Sequence, residues 1–131
     1  VRVEHAPDMS LFQIRGGSVY PAFRRPVPAD FSSAAFFLGA GALGDNAVTC
    51  AGLDMQDSQA DKAVVDYVRE MGAEVTVTDD VVTVHGRGLH GVELDLNETP
   101  DALPVMAVLG CFAEGKTVLR NVAHARIKET D

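Results

Sequence analysis

A carboxylate, an ammonium and a second acid stand along this chain where they could serve one anionic substrate. Asp101 follows Pro100 at the head of an apolar run. First-turn amides and the helix dipole favour an ionised carboxylate there, and such a carboxylate, held against a substrate hydroxyl, can take its proton. Lys128 and Glu129 are adjacent in the closing run Arg126-Ile127-Lys128-Glu129-Thr130-Asp131. An ammonium binds a phosphate or carboxylate, whereas an acid beside an anionic substrate has its pKa raised and can donate a proton. Arg126 adds a second cation, and His124 can donate a hydrogen bond to a sugar-like hydroxyl. Each residue also has an ordinary reading: a first-turn acid, a solvated surface pair, a structural loop histidine.

Other constellations are weaker. Gly39-Ala40-Gly41-Ala42-Leu43-Gly44 matches the dinucleotide pattern G-x-G-x-x-G, but that chemistry needs a strand before the glycines and a helix after them. Here a helix precedes and a strand follows, so small residues for close helix packing explain the run. His85 and His90 lack a third ligand at metal-binding spacing, and no metal is expected. Ser32 and Ser33 in the first turn of a helix read as structural. Cys50 and Cys111 fall in apolar segments, one in a strand and one in a helix, and read as buried reduced thiols.

The elements that must position these groups follow from periodicity and punctuation. Residues 1–5 and 10–15 alternate around Ala6-Pro7-Asp8 and read as a hairpin closed by Gly16-Gly17. After a Pro-rich extended piece over 20–29, Asp30 can cap a helix over 31–43 that Gly44 ends. A strand is predicted over 47–51, a helix over 60–71 stopped by Gly72, and a hairpin of 74–78 with 81–85 around Asp79-Asp80. The pattern then restarts, with a strand over 92–96, a helix capped by Thr99 running to residue 113, and a strand over 116–121. A shift of about 70 residues lays the first helix on the third and Val48 on Val118, which is an internal repeat. Residues 1–24 then read as the end of one unit, 25–90 as a complete βαβαββ unit, and 91–131 as the first part of the next.

Composition bounds the rest. With 131 residues, 47% of them hydrophobic, the chain can bury one core. A net charge of −8 without a basic run, and few aromatics, argue against nucleic acid, so any anionic ligand is held by a few placed cations. The longest apolar run is too short to span a bilayer, and a cytoplasmic protein is expected. The chain opens on Val1 and stops in a charged segment, and is read as a piece of something longer.

Taken in order, Pro28-Ala29-Asp30-Phe31-Ser32-Ser33-Ala34-Ala35-Phe36-Phe37-Leu38, then Ser58-Gln59-Ala60-Asp61, Met71-Gly72-Ala73, Asp95-Leu96-Asn97 with Pro100-Asp101, and the closing Arg126 to Asp131 run resemble the 5-enolpyruvylshikimate-3-phosphate synthase (3-phosphoshikimate 1-carboxyvinyltransferase) family. The resemblance covers essentially the whole chain, and five motifs in the right order are more specific than any one of them. It implies an α+β fold of repeated βαβαββ units arranged as an inside-out α/β barrel, of which this chain holds an incomplete domain. It also implies transfer of the enolpyruvyl group of phosphoenolpyruvate to the 5-hydroxyl of shikimate 3-phosphate, a step of aromatic amino acid biosynthesis. No metal or organic cofactor is implied, because protonating the methylene carbon makes C2 electrophilic while placed cations stabilise the phosphates.

By the same resemblance Asp101 is the carboxylate that contacts the shikimate ring and accepts a proton, Glu129 donates a proton to the methylene, and Lys128 binds the 3-phosphate. His124 stands where some members carry a substrate-contacting Asn, so it is a substrate-binding candidate. The family's phosphoenolpyruvate-binding Arg and its other anion ligands lie outside the chain, so these residues alone are expected to be inactive without the remainder. Two alternatives stay open: a UDP-N-acetylglucosamine 1-carboxyvinyltransferase-like enzyme, which the Lys-Glu-Thr-Asp close fits less well, and a noncatalytic βαβαββ interaction module.

Overall fold

Asp30 starts the first helix because its backbone stays extended (φ −102°, ψ 119°) while its carboxylate accepts from the Ser33 amide at 2.8 Å and the Ser33 hydroxyl at 2.5 Å. The computed structural model describes residues 1–128. Helix α1 (Phe31–Ala42) buries Phe31, Ala34, Ala35, Leu38 and Ala42 along one stripe, and Gly44, at φ 62°, turns the chain out of it. Strand β3 (Ala47–Ala51) follows, and a 3₁₀ turn (Ala60–Ala63) leads into α2 (Val64–Glu70), which sinks Val64, Val65 and Val68 completely. The predicted second helix therefore forms, with its first turn tightened to 3₁₀.

Strands β4 (Glu74–Thr78) and β5 (Val81–His85) make the predicted hairpin, and β5 lies between β3 and β4, antiparallel to both. One sheet face carries the fully buried Val82 and Val84 against the helices; the other carries the exposed Thr49 and the half-buried Thr83, whose hydroxyls meet at 2.9 Å. Strand β6 (Glu93–Asp95) pairs in parallel with β7 (Val118–Arg120), joined through a 3₁₀ turn (Pro100–Ala102) and α3 (Leu103–Phe112).

The repeat is visible side chain by side chain. Phe31, Ala34, Ala35 and Leu38 are buried, and so are Ala102, Val105, Met106 and Leu109 at the same offsets in the second copy. The two helices touch through small residues. A Cβ on Gly39 would lie 2.8 Å from Val105 Cγ1, and one on Gly41 would lie 2.9 Å from the Val84 carbonyl oxygen, so these glycines serve packing between helices and sheet.

Two expectations need correction. Residues 15–30 form no strand, so the leading strand of a complete βαβαββ unit over 25–90 is missing, and the unit reads helix, strand, helix, strand, strand. The predicted first hairpin forms, with β1 (Val3–His5) antiparallel to β2 (Phe12–Ile14), and its Val3, Phe12 and Ile14 are exposed. Cys111 is exposed, because it shares a helix face with Val108 and Phe112 opposite the buried stripe; Cys50 is half-buried, and its burial raises the thiol's pKa. Among the described residues no helix is long and apolar enough to cross a membrane.

Candidate active site

Parallel pairing decides where the chemistry gathers. Because β6 and β7 run in the same direction, the segments that leave their carboxyl ends emerge at one edge, the usual position for ligands in such sheets. Two ties hold that edge: the Leu96 amide donates to the Arg120 carbonyl at 3.1 Å, and the Asn121 side-chain amide donates to the Asp95 carboxylate at 2.8 Å. The Asn97 amide binds the other Asp95 oxygen at 2.9 Å, and this bond, followed by that from Asn121, holds the Asp95 pKa below the usual carboxylate range. Asn121 adopts the left-handed conformation (φ 58°), which turns the chain sharply into a 3₁₀ segment (Ala123–Ile127).

The result is direct contact between two of the predicted site residues. The Lys128 ammonium donates to the Asp101 carboxylate, although 27 residues separate them in sequence. Both side chains stay partly open, 35% exposed for Lys128 and 46% for Asp101, so a ligand can reach and part them. An ion pair this exposed contributes little to stability. Its consequence is positional: a carboxylate able to accept a proton and an ammonium able to bind an anion stand at one place.

His124 lies half-buried in the 3₁₀ segment on the same edge, and its Nε2 is buried with no hydrogen-bond partner among the described residues. Arg126 follows it on the exposed side. Glu129, the expected proton donor, lies outside the described residues. No group of three or more His, Cys, Asp or Glu that could hold a metal ion occurs among the described residues.

Two features escaped the sequence reading. Thr99 does not cap its helix; its side chain makes no cap bond and instead meets the Tyr67 hydroxyl at 3.0 Å. Tyr67, at helical spacing among apolar residues, read as core, and nothing local signals that its hydroxyl reaches the segment before Asp101. Gln59 brackets the start of α1, accepting from the Phe31 amide and donating to the Ala29 carbonyl, both at 2.8 Å.

The family profile described as EPSP synthase (3-phosphoshikimate 1-carboxyvinyltransferase) matches residues 1–131. Among curated proteins, the 3-phosphoshikimate 1-carboxyvinyltransferase of Ruminiclostridium cellulolyticum is 47% identical over 123 residues, covering 94% of this chain and 29% of that protein. The one from Acetivibrio thermocellus is 48% identical over 124 residues, 95% of this chain and 29% of the relative. Among solved structures, EPSP synthase from Acinetobacter baumannii superposes with a TM-score of 0.70 at 25% identity, covering 99% of this chain and 32% of that one. The chain thus spans under a third of the length of these relatives.

Proposed function

The chain belongs to the EPSP synthase family, and from that premise we propose that it supplies one catalytic edge of a cytoplasmic transferase acting on shikimate 3-phosphate and phosphoenolpyruvate. Asp101 accepts the proton of the substrate 5-hydroxyl as its oxygen bonds to C2 of phosphoenolpyruvate, while Glu129 delivers a proton to the methylene carbon. Loss of a methyl proton and of phosphate from the tetrahedral adduct restores the double bond as an enol ether. Lys128 binds the 3-phosphate, Arg126 adds positive charge, and His124 donates to a substrate hydroxyl. Residues 1–24, 25–90 and 91–131 are the end of one repeat unit, the body of a second and the front of a third.

The observation that carries this reading is the meeting of Asp101 with Lys128 on an open edge. The remainder of the protein is the partner this chain requires. Phe36 and Phe37 of α1 and Val108 and Phe112 of α3 are exposed, and an apolar groove of about 210 Å³ runs between the helices, lined by Phe36, Leu43, Pro104 and Val108 among others. Helices apolar on every side belong in an interior.

Phosphate release from the two substrates tests the proposal. The 131 residues alone are expected to release none, the complete protein to release it at each turnover, and Asp101→Ala in the complete protein to lower turnover about a hundredfold or more, the scale of a lost general base. Robust turnover by the short chain, or an unimpaired Asp101→Ala, would overturn it.

A further inference from the structure

Among the described residues Thr99 is the buried polar side chain in an otherwise apolar core, 3% exposed, and it lies two residues before Asp101. Its backbone is outside helical geometry (φ −131°, ψ 54°), its amide donates to the Leu96 carbonyl at 3.1 Å, and its carbonyl accepts from the Ala102 amide at 3.0 Å. The turn that aims Asp101 is therefore built around Thr99. Its hydroxyl could have capped the helix, yet it faces Tyr67 instead.

The Tyr67 hydroxyl is 3.2 Å from the Asp95 carbonyl oxygen and 3.0 Å from Thr99 Oγ1. A carbonyl only accepts, so the phenol spends its one proton on Asp95 and accepts the Thr99 proton. The bonds form a directed chain, Thr99 to Tyr67 to the end of β6, in which each bond strengthens the next. Tyr67 can serve as a fixed post because the neighbours that anchor α2, Val64, Val65 and Val68, are fully buried. A cleft of about 400 Å³ lined by Tyr67, Asp95, Asn97 and Thr99 opens beside these bonds, so packing alone does not immobilise the turn. Pro100, with its fixed φ, makes the link from Thr99 to Asp101 stiff.

We propose that Tyr67 is a positioning residue for Asp101, holding the Thr99 turn so that the carboxylate meets the substrate hydroxyl. The inference rests on the reading of Asp101 as proton acceptor. Tyr67→Phe removes one oxygen and leaves the ring in place. In the complete enzyme it is expected to lower kcat roughly five- to tenfold, the scale of a sub-ångström displacement of a reacting group, with KM for shikimate 3-phosphate changed less than about twofold. Thr99→Val should match it, and the double variant should be no worse than either single one, because both cut the same chain.

The deciding measurement is Tyr67→Phe placed on Asp101→Ala: a positioning role predicts no further loss, since no carboxylate remains to aim. An additional loss of the same size on that background means general destabilisation and overturns the proposal, as does wild-type kcat in Tyr67→Phe while Asp101→Ala is crippled. An unimpaired Asp101→Ala would remove the catalytic reading itself, and this inference with it.

Discussion

Asp30 and Asp101 occupy the same place in the two copies of the repeat, each one residue before the first buried position of its helix, and they are used in opposite ways. Asp30 is closed off: it caps α1 through both the amide and the hydroxyl of Ser33, and Gln59 brackets the backbone on either side of it. Asp101 cannot be closed off in that manner, because the residue in the place of Ser33 is Pro104, which has neither an amide proton nor a hydroxyl. The carboxylate that would have been a cap is left for Lys128 and, in the proposed reaction, for substrate. On the proposed reading, a duplicated scaffold separates a structural acid from a reactive one by changing what lies three residues downstream.

The comparison breaks most visibly if the two acids are exchanged in function. In the complete enzyme, Asp101→Ala is expected to cost about two orders of magnitude in turnover with little change in the denaturation midpoint. Asp30→Ala is expected to lower the midpoint and leave kcat near its starting value. Steady-state kinetics and thermal denaturation of the same two preparations check both halves. A kinetic collapse in Asp30→Ala without loss of fold would mean that the first copy also faces substrate.

Next in size is Lys128→Ala, which removes the cation and leaves the acceptor. Its effect should fall on binding, raising KM for shikimate 3-phosphate roughly tenfold or more, the scale of a lost charge-assisted hydrogen bond, with a smaller change in kcat. Equal losses in kcat and kcat/KM would instead assign Lys128 to the transition state.

Much of this contrast was legible in the sequence because its signals are local. The alternation Glu74-Val75-Thr76-Val77-Thr78 and the Asp79-Asp80 turn fix the β4–β5 hairpin at the predicted residues, and Asp30 and Gly44 mark α1 to within one residue. The meeting of Asp101 with Lys128 was also anticipated, since in a repeated strand-helix-strand unit the segments that follow the strands reach the same edge. What stayed hidden depends on the third dimension. Thr99 looked like a cap because a hydroxyl before Pro100 usually is one, and only the packing of α2 beside it supplies Tyr67 as a competing partner. Cys111 looked buried because α3 is apolar on all sides, and periodicity cannot tell which side lacks a neighbour. The strand expected before Asp30 carries two prolines, Pro26 and Pro28, which remove ladder donors.

Pro104→Ser sharpens the comparison further by rebuilding the Ser33 arrangement at the second copy. A restored amide and hydroxyl would compete with substrate for the Asp101 carboxylate, and a drop in kcat of about twofold to fivefold is expected, well short of removing the base. Thermal denaturation separates this from simple destabilisation. A cap bond rebuilt at the second copy should hold or raise the denaturation midpoint while kcat falls. A lowered midpoint with unchanged kcat would mean that Pro104 only shapes the helix start.

The smallest effect is the pH dependence of the structural acid. The Ser33 hydroxyl and then the Ser33 amide hold the Asp30 pKa below its ordinary value. A carboxylate with a lowered folded-state pKa stabilises the fold fully above its unfolded pKa and loses that contribution as pH falls through the folded value. Asparagine is itself a good cap, so Asp30→Asn keeps a side-chain acceptor and removes only the charge. The midpoint of the unmodified protein should therefore exceed that of Asp30→Asn slightly at neutral pH, and the two should converge below about pH 4, where an unfolded Asp takes up its proton. A gap that persists unchanged to pH 2 would show that Asp30 acts through shape alone, and the contrast with Asp101 would then rest on Pro104 and Lys128 rather than on two differently used charges.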